Sequence, residues 1–388
     1  MKVVQINIFP NLSTGSIMMN IHNYLKDNGV DSYVVWGRGR NTNDESEIYM
    51  NDKIGVYSHI LYTRFTDKTG FASKNATKKL IKKLEEIKPD IVHLHNIHGY
   101  YINIEILFEY LKNKNIKTVF TLHDCWTFTG HCAYFDYIGC NKWKSRCHNC
   151  PLIHDYPKSF VDNSKWNFKH KKQIFSDTDM YIVTPSVWLA NLVKKSYLKG
   201  KKLTVINNGI NTDIFKPTIS NFRKNHDLEN KKIILGVAST WDKRKGLNDF
   251  IELSKVIDND TKIVLVGLNQ KEIDSIPDNI LGLPRTKSVN ELVEIYSAAD
   301  VLFNPTHEEN YPTVNLEAQA CGTPVITYNT GGSPETILTG NGLVVTYDDM
   351  VKNYKKYVNL KINSNNKIDN IENMSEKYYN LYKDILNK

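Results

Sequence analysis

Glu309 and Glu317 stand with seven residues between them in the string Glu309-Asn310-Tyr311-Pro312-Thr313-Val314-Asn315-Leu316-Glu317. The second falls among apolar neighbours, just inside a segment of helical character. A carboxylate there costs several kcal/mol unless it is paired or hydrogen-bonded. A diol such as that of a ribose is a suitable partner, because one carboxylate accepts two hydroxyl hydrogens at once. Glu309 belongs to the loop before that segment, at the tip of a preceding strand. The competing reading is a pair of surface glutamates on a loop and a helix.

A second chemical centre is the basic run Lys243-Arg244-Lys245-Gly246. Cations clustered at that point suit an anionic ligand; a solvated basic turn is the alternative. Gly15, in Ser13-Thr14-Gly15-Ser16, follows the first strand and opens the first helix. Glycine there lets the backbone approach a phosphate, which the helix N-terminus attracts, although a plain turn needs a glycine as well. His123 precedes Asp124 at a strand tip, where a histidine is either structural or lines a pocket. His93 and His95 alternate on one strand and are expected on opposite sheet faces. One is then a packed core residue, and His95, nearer the tip, is the better pocket candidate. Asp177-Thr178-Asp179 and Asp258-Asn259-Asp260 have the form of a metal-holding pair, but each precedes a strand in turn-like sequence and reads as a turn.

The cysteines are the most distinctive local feature. Cys132, Cys140, Cys147 and Cys150 are separated by seven, six and two residues. Cys147-His148-Asn149-Cys150-Pro151 resembles half of a zinc knuckle, and four thiolates suit tetrahedral Zn²⁺. The other pair lacks the close spacing, so redox-sensitive and inert thiols stay open beside structural zinc. Such a site would staple the loop after His123 and would leave no open position for catalysis.

These residues must be positioned by regular elements. Strand-like runs (Val3 to Phe9, Ser32 to Val35, Ile91 to His95, Lys117 to Leu122, Tyr181 to Thr184) alternate with helix-like ones (Gly15 to Leu25, Lys78 to Ile87, Ile104 to Leu111). Residues 37–57 are polar and irregular and read as a long loop. The second half repeats the scheme with strands at Ile233 to Val237, Lys262 to Val266, Val301 to Asn304 and Val325 to Thr327. Helices there are expected at Leu247 to Ile257, Val289 to Ser297 and Val314 to Ala320, with a last one from Glu372 to Leu386. Alternation of this kind predicts α/β architecture with mostly parallel sheets, whose ligands bind at the carboxyl ends of the strands. The loaded residues Gly15, His95, His123, Lys245, Glu309 and Gly332 fall at such ends.

With 388 residues, the chain exceeds one ordinary core, so two domains are expected. The expected division is 1–205, 206–370 and a C-terminal helix, 371–388, that returns to the first domain. The formal charge of +8 suits an anionic ligand, an anionic membrane surface or nucleic acid. Nine lysines against two acids between Lys165 and Lys202 make either a solvated basic face or a contact for lipid head groups. No apolar run approaches the ~18 residues that span a bilayer, and the first residues read as a strand. A reducing cytoplasm is therefore expected, with thiols or metal ligands and no disulfides.

The glutamate string, with Tyr296-Ser297-Ala298-Ala299-Asp300 before it and Gly331-Gly332-Ser333-Pro334-Glu335 after it, closely resembles the donor-binding domain of retaining glycosyltransferases of family 4. Further matching pieces are Val92-His93-Leu94-His95-Asn96, Thr121-Leu122-His123-Asp124, Thr184-Pro185-Ser186 and Asn208-Gly209-Ile210. The resemblance weakens in residues 37–75 and after about 350, and the first half looks like capsule and exopolysaccharide members. It implies the GT-B fold: two facing Rossmann-like domains around a cleft. It further implies that Glu309 contacts the donor sugar, Glu317 holds the nucleotide ribose, Lys245 binds the diphosphate, and His123 lines the sugar pocket and supports charge there. Gly15, Arg244, Asn310, Gly331 and Gly332 fall in the matching donor-binding segments. The family usually has an arginine where this chain has Ser239; Arg244 would supply that charge from another point on the loop.

The implied activity is retaining transfer of a hexose from a UDP- or GDP-type sugar, with no cofactor needed for catalysis. A glycan or polyprenyl-diphosphate-linked glycan would accept it, in bacterial surface-polysaccharide assembly. No nucleic-acid partner is implied. The expected place is the cytoplasm, at the inner face of the cell membrane. A nucleotide-sugar 2-epimerase of the same architecture and a non-catalytic zinc-bearing binding protein are the alternatives. The absence of G-x-G-x-x-G after the first strand argues against a dinucleotide oxidoreductase.

Overall fold

β-branched and apolar runs that are hydrophobic at every position, without polar alternation, suit strands covered on both faces. The computed structural model describes residues 1–11, 14–362 and 368–387; Ser13 lies outside them. It arranges these runs in two units, residues 1–207 with 372–388, and residues 208–371.

The first unit begins β1 (Lys2–Asn7), α1 (Thr14–Asp27), β2 (Asp31–Trp36), β3 (Glu47–Tyr49), α2 (Lys53–Thr66), α3 (Lys74–Ile87) and β4 (Ile91–Leu94). It continues α4 (Ile104–Asn113), β5 (Lys117–Thr121), α5 (Ser164–Ser176), β6 (Met180–Thr184), α6 (Val187–Lys195) and β7 (Lys202–Val205). Its parallel sheet has the order β3-β2-β1-β4-β5-β6-β7. The pleat divides the strand residues between two cores. Val4, Val92, Phe120 and Ile182 pack with α3 and α4, while Val3, Ile91, Val119 and Val183 pack with Ile17 and Ile21 of α1.

The second unit holds α7 (Phe222–Asn225), β8 (Lys232–Val237), α8 (Leu247–Ser254), β9 (Thr261–Val266), α9 (Gln270–Ile273), β10 (Ile280–Leu283) and α10 (Val289–Ala298). Then come β11 (Val301–Asn304), α11 (Thr313–Ala320), β12 (Val325–Tyr328), β13 (Gly342–Val345) and α12 (Tyr347–Tyr357). Its sheet is also parallel, in the order β10-β9-β8-β11-β12-β13. The last helix, α13 (Ile371–Leu386), places Met374, Tyr378, Tyr382 and Ile385 in the core beside α1. The Tyr382 hydroxyl lies 2.6 Å from His93 Nδ1, and that of Tyr378 lies 3.0 Å from Thr121 Oγ1.

Residues 37–57 are not one loop. β3 joins the sheet edge by pairing Glu47 to Tyr49 with Val34 to Trp36, and α2 starts at Lys53 behind an Asp52 cap that accepts from Gly55 N. A three-residue strand is too short to show a period, so the ladder of its neighbour decides it. The basic stretch 165–202 is not one solvated face either: it builds α5, β6, α6 and β7, and Lys171 within it is buried. Among the described residues no helix is long and apolar enough to cross a membrane.

Candidate active site

In the second unit the chemistry gathers at the carboxyl ends of β8, β11 and β12. The loop after β8 is held by Asp242, whose side chain accepts from Lys245 N at 3.0 Å. Gly246 closes it at φ +74, where a Cβ would lie 2.3 Å from Pro305 O. Only glycine allows this approach to the end of β11. The two loops are then stitched together: the Arg244 carbonyl accepts from His307 N at 2.8 Å, and Arg244 Nη1 donates to Glu308 O at 3.1 Å.

That stitching brings the Lys245 ammonium onto the Glu309 carboxylate as an ion pair, with side chains only 19% and 13% exposed. Burial works to raise the Glu309 carboxyl, but Lys245 and then Arg244 outweigh it and hold it below the usual range. Glu309 is thus a fixed anion beside two cations. Asn310 is buried next to it, and its N–H donates to Glu309 Oε1 at 3.1 Å. Gly331, at φ +57, lies over the same residue: a Cβ would come within 1.8 Å of Glu309 O, and Gly332 N donates to that oxygen at 3.3 Å.

Glu317 sits on α11, half-buried, and accepts from the Tyr296 hydroxyl at 2.9 Å. Burial raises its carboxyl, against the hydroxyls of Tyr296 and Thr313. Ser239 is exposed at the start of the loop after β8.

Sequence reasoning missed the frame beneath these residues. Asn315 Oδ1 accepts from Asn304 at 2.9 Å, while its Nδ2 donates to Ser333 at 3.2 Å and Thr336 at 2.8 Å. Gln319 Nε2 donates to Asn315 O and Thr336 O. Buried polar groups with every partner in place fix one arrangement, so α11 and the Gly331–Thr336 segment are locked together. The one trace in the sequence is a set of amides and hydroxyls inside otherwise apolar elements.

In the first unit, Gly15 is buried, and a Cβ there would lie 2.3 Å from Phe9 O, so glycine seats α1 under the turn after β1. His95 and His123 are both buried. Gln5 Nε2 donates to Met18 O, which turns Gln5 Oε1 toward His95 Nε2 at 3.3 Å. His95 therefore carries its proton on Nε2, and its Nδ1 accepts from His123 Nε2 at 3.0 Å. Burial, opposed by Asp124, takes the His123 ring down to about 4, so it is neutral at pH 7. The expectation that His93 and His95 point to opposite faces is wrong: their rings are 4.1 Å apart. Successive strand residues alternate between faces, so residues two apart share one, and the pleat carries His93 and His95 to the same side. His93 instead joins Tyr382 and, at 2.8 Å, Thr121.

The six cysteines are free thiols. Cys132, Cys140, Cys147 and Cys150 line one cavity of about 20 Å³ together with His131. Among the described residues, no three His, Cys, Asp or Glu side chains stand placed to hold a metal ion. The all-cysteine tetrahedron expected from the spacing is therefore gathered without being closed, because Cys132 and Cys150 engage each other.

Two parallel α/β units with polar side chains at their strand ends are Rossmann-like domains of the GT-B class. Solved structures share this fold: sucrose-phosphate synthase from Thermosynechococcus elongatus superposes with a TM-score of 0.70 at 14% identity, covering 100% of this chain and 99% of that one. HepE from Anabaena, in complex with UDP and glucose, gives 0.64 at 14% identity, covering 99% of each chain. The family model for glycosyl transferases group 1 matches residues 218–378, and that for Glycosyltransferase Family 4 matches residues 15–214. The chain belongs to glycosyltransferase family 4. A curated relative, the putative colanic acid biosynthesis glycosyl transferase WcaC of Escherichia coli (strain K12), is 24% identical over 91% of this chain and 89% of its own.

Proposed function

We propose that this glycosyltransferase moves a hexose, with retention, from a nucleoside-diphosphate sugar to a glycan or polyprenyl-diphosphate-linked glycan in surface-polysaccharide assembly. The observation that carries the reading is the Lys245–Glu309 pair with Arg244 beside it. A preorganised cation is suited to the diphosphate as it departs, and a fixed carboxylate to the hydroxyls of the donor sugar. Arg244 takes the place of the arginine missing at Ser239, and no metal is required for the charge. Glu317, poised beside Tyr296, accepts from the ribose. HepE, solved with UDP, and the colanic acid relative support the donor class and the pathway class.

Two features of the first unit support a lipid-linked acceptor at an anionic membrane. α2 presents Ile54, Tyr57, Leu61 and Phe65 in one stripe, 59–81% exposed, with Lys53 and Arg64 and no acid on the helix. Phe160 extends the stripe, its ring 5.6 Å from that of Phe65. An apolar stripe with basic company suits the boundary between head groups and acyl chains. Beside it, Arg40 and Lys53 line a cavity of about 330 Å³, which fits a diphosphate.

Thermal-shift measurements with UDP, GDP, ADP and CMP, with and without EDTA, test the donor half. One nucleoside diphosphate at a hundred times its Kd should stabilise the protein by about 2.7 kcal/mol without metal, and Glu317→Ala should abolish the shift. Equal responses to all four nucleotides, or none, would sink the reading.

A further inference from the structure

At the carboxyl ends of β4 and β5 the first unit holds a second polar chain, which the proposed function leaves unused. Asp124 lies just past β5, His98 past β4, and Tyr156 in the loop before α5. Asp124 Oδ2 is 2.9 Å from His98 Nε2, and its Oδ1 accepts from Trp126 N at 2.9 Å. Burial works to raise this carboxyl, but His98 and the Trp126 N–H outweigh it and hold it below the usual range. An ionised carboxylate only accepts, so His98 donates to it from Nε2. In the neutral imidazole Nδ1 then accepts, and the Tyr156 hydroxyl stands 2.9 Å from it; the His98 carbonyl is farther from that hydroxyl, at 3.4 Å. The Tyr156 proton is thus committed inward, and among the described residues no group donates to its oxygen. Aromatic rings brace the chain: Trp126 lies 5.2 Å from the His98 ring, and Tyr100 lies 6.0 Å from that of Tyr156. His98, Asp124 and Tyr100 are buried, whereas Tyr156 is 45% exposed.

A buried histidine–carboxylate pair therefore presents one oriented phenol at the end of the sheet where α/β units bind ligands. An accepting oxygen on an exposed aromatic ring suits a sugar, whose apolar C–H face lies on the ring while a hydroxyl hydrogen reaches the polar tip. The Asp124 anion acts on that oxygen more strongly than the Arg38 cation does, so a phosphate or carboxylate at this point is repelled. We propose that Tyr156 receives the acceptor: its phenol oxygen accepts from a hydroxyl of a neutral hexose at the end of the acceptor glycan. His98 and Asp124 are positioning residues that keep the phenol's own proton turned inward. This rests on the acceptor half of the proposed function and narrows it, from any glycan to one that ends in an uncharged sugar.

The test is saturation-transfer NMR of the full chain with the methyl α-glycosides of glucose, galactose and mannose, set against glucose 6-phosphate and glucuronate. At least one neutral hexoside should bind the wild type, and Tyr156→Phe should weaken it by about 2–10-fold, the worth of one hydrogen bond. Asp124→Asn, which removes the charge that sets the His98 tautomer, should weaken it similarly. In ¹⁵N imidazole spectra His98, assigned by the resonance lost in His98→Gln, should carry its proton on Nε2. Adding the bound hexoside should shift its Nδ1 resonance through the shared phenol, which a merely structural pair would not show. Where Asp124→Asn fails to fold, Tyr156→Phe and the wild-type spectrum decide. The nucleoside-diphosphate thermal shift should be equal in Tyr156→Phe and wild type, so its loss in the wild type bears on the donor reading and not on Tyr156. Three results would each overturn the proposal: no neutral hexoside bound, tighter binding of glucose 6-phosphate or glucuronate, or a His98 protonated on Nδ1.

Discussion

Glu309 owes its charge to Lys245. A carboxylate this little exposed is raised by burial, and only the adjacent cations bring it below the usual range. A depressed folded-state value contributes stability that is full above the unfolded carboxylate value, about 4.3. That stability is lost as pH falls from there through the lower folded value. Lys245→Ala leaves the anion with Arg244 alone and should destabilise the chain by about 1–3 kcal/mol at pH 7. The gap between wild type and variant should narrow below about pH 4.3. Melting curves at stepped pH check this, and a gap independent of pH would refute it. Both residues were legible as chemical candidates, because basic runs and paired glutamates stand out. Their contact was not, since it joins loops 64 positions apart.

At the scale of elements, α2 is the sharpest case. Its register turns Val56, His59 and Thr63 inward and leaves four large apolar side chains to solvent, which a helix in a globular unit ordinarily avoids. Because these side chains are exposed, replacing Ile54, Leu61 and Phe65 together with Glu should leave the melting temperature within about a degree or two. Co-flotation with acidic liposomes should fall at least tenfold, since each large side chain contributes about 1.5–3 kcal/mol on burial. Unchanged flotation would remove membrane contact from the proposed function. The helix begins inside the stretch 37–57 that reads as a loop, and no helix was expected over the rest of it. Its outward face spoils the apolar period that marks an ordinary amphipathic helix, and the neighbouring β3 is three residues long. Strands such as β4 and β11, apolar at every position or nearly so, were legible because a covered parallel strand admits little else.

At the scale of the molecule, the last helix completes the first unit's core. Met374, Tyr378, Tyr382 and Ile385 are buried there, roughly 6–12 kcal/mol of side-chain burial in total. That rivals the whole stability of a domain. Ending the chain at Asn370 should therefore leave the first unit aggregating or open to protease, while Tyr382→Phe, which strips His93 Nδ1 of its partner, should cost about 1–3 kcal/mol. A truncated chain that melts as the full one does would show the helix dispensable. By itself the sequence determined the α/β class, the two parallel sheets, the family and the residues able to do chemistry, because periodicity, strand composition and local spacing are properties of neighbouring residues. Tertiary structure alone decided which of them meet: Lys245 with Glu309, and His95 with His123. Those pairings join residues far apart in the chain, and they are chosen by burial and by the satisfaction of buried polar groups, which exist only once the chain has folded.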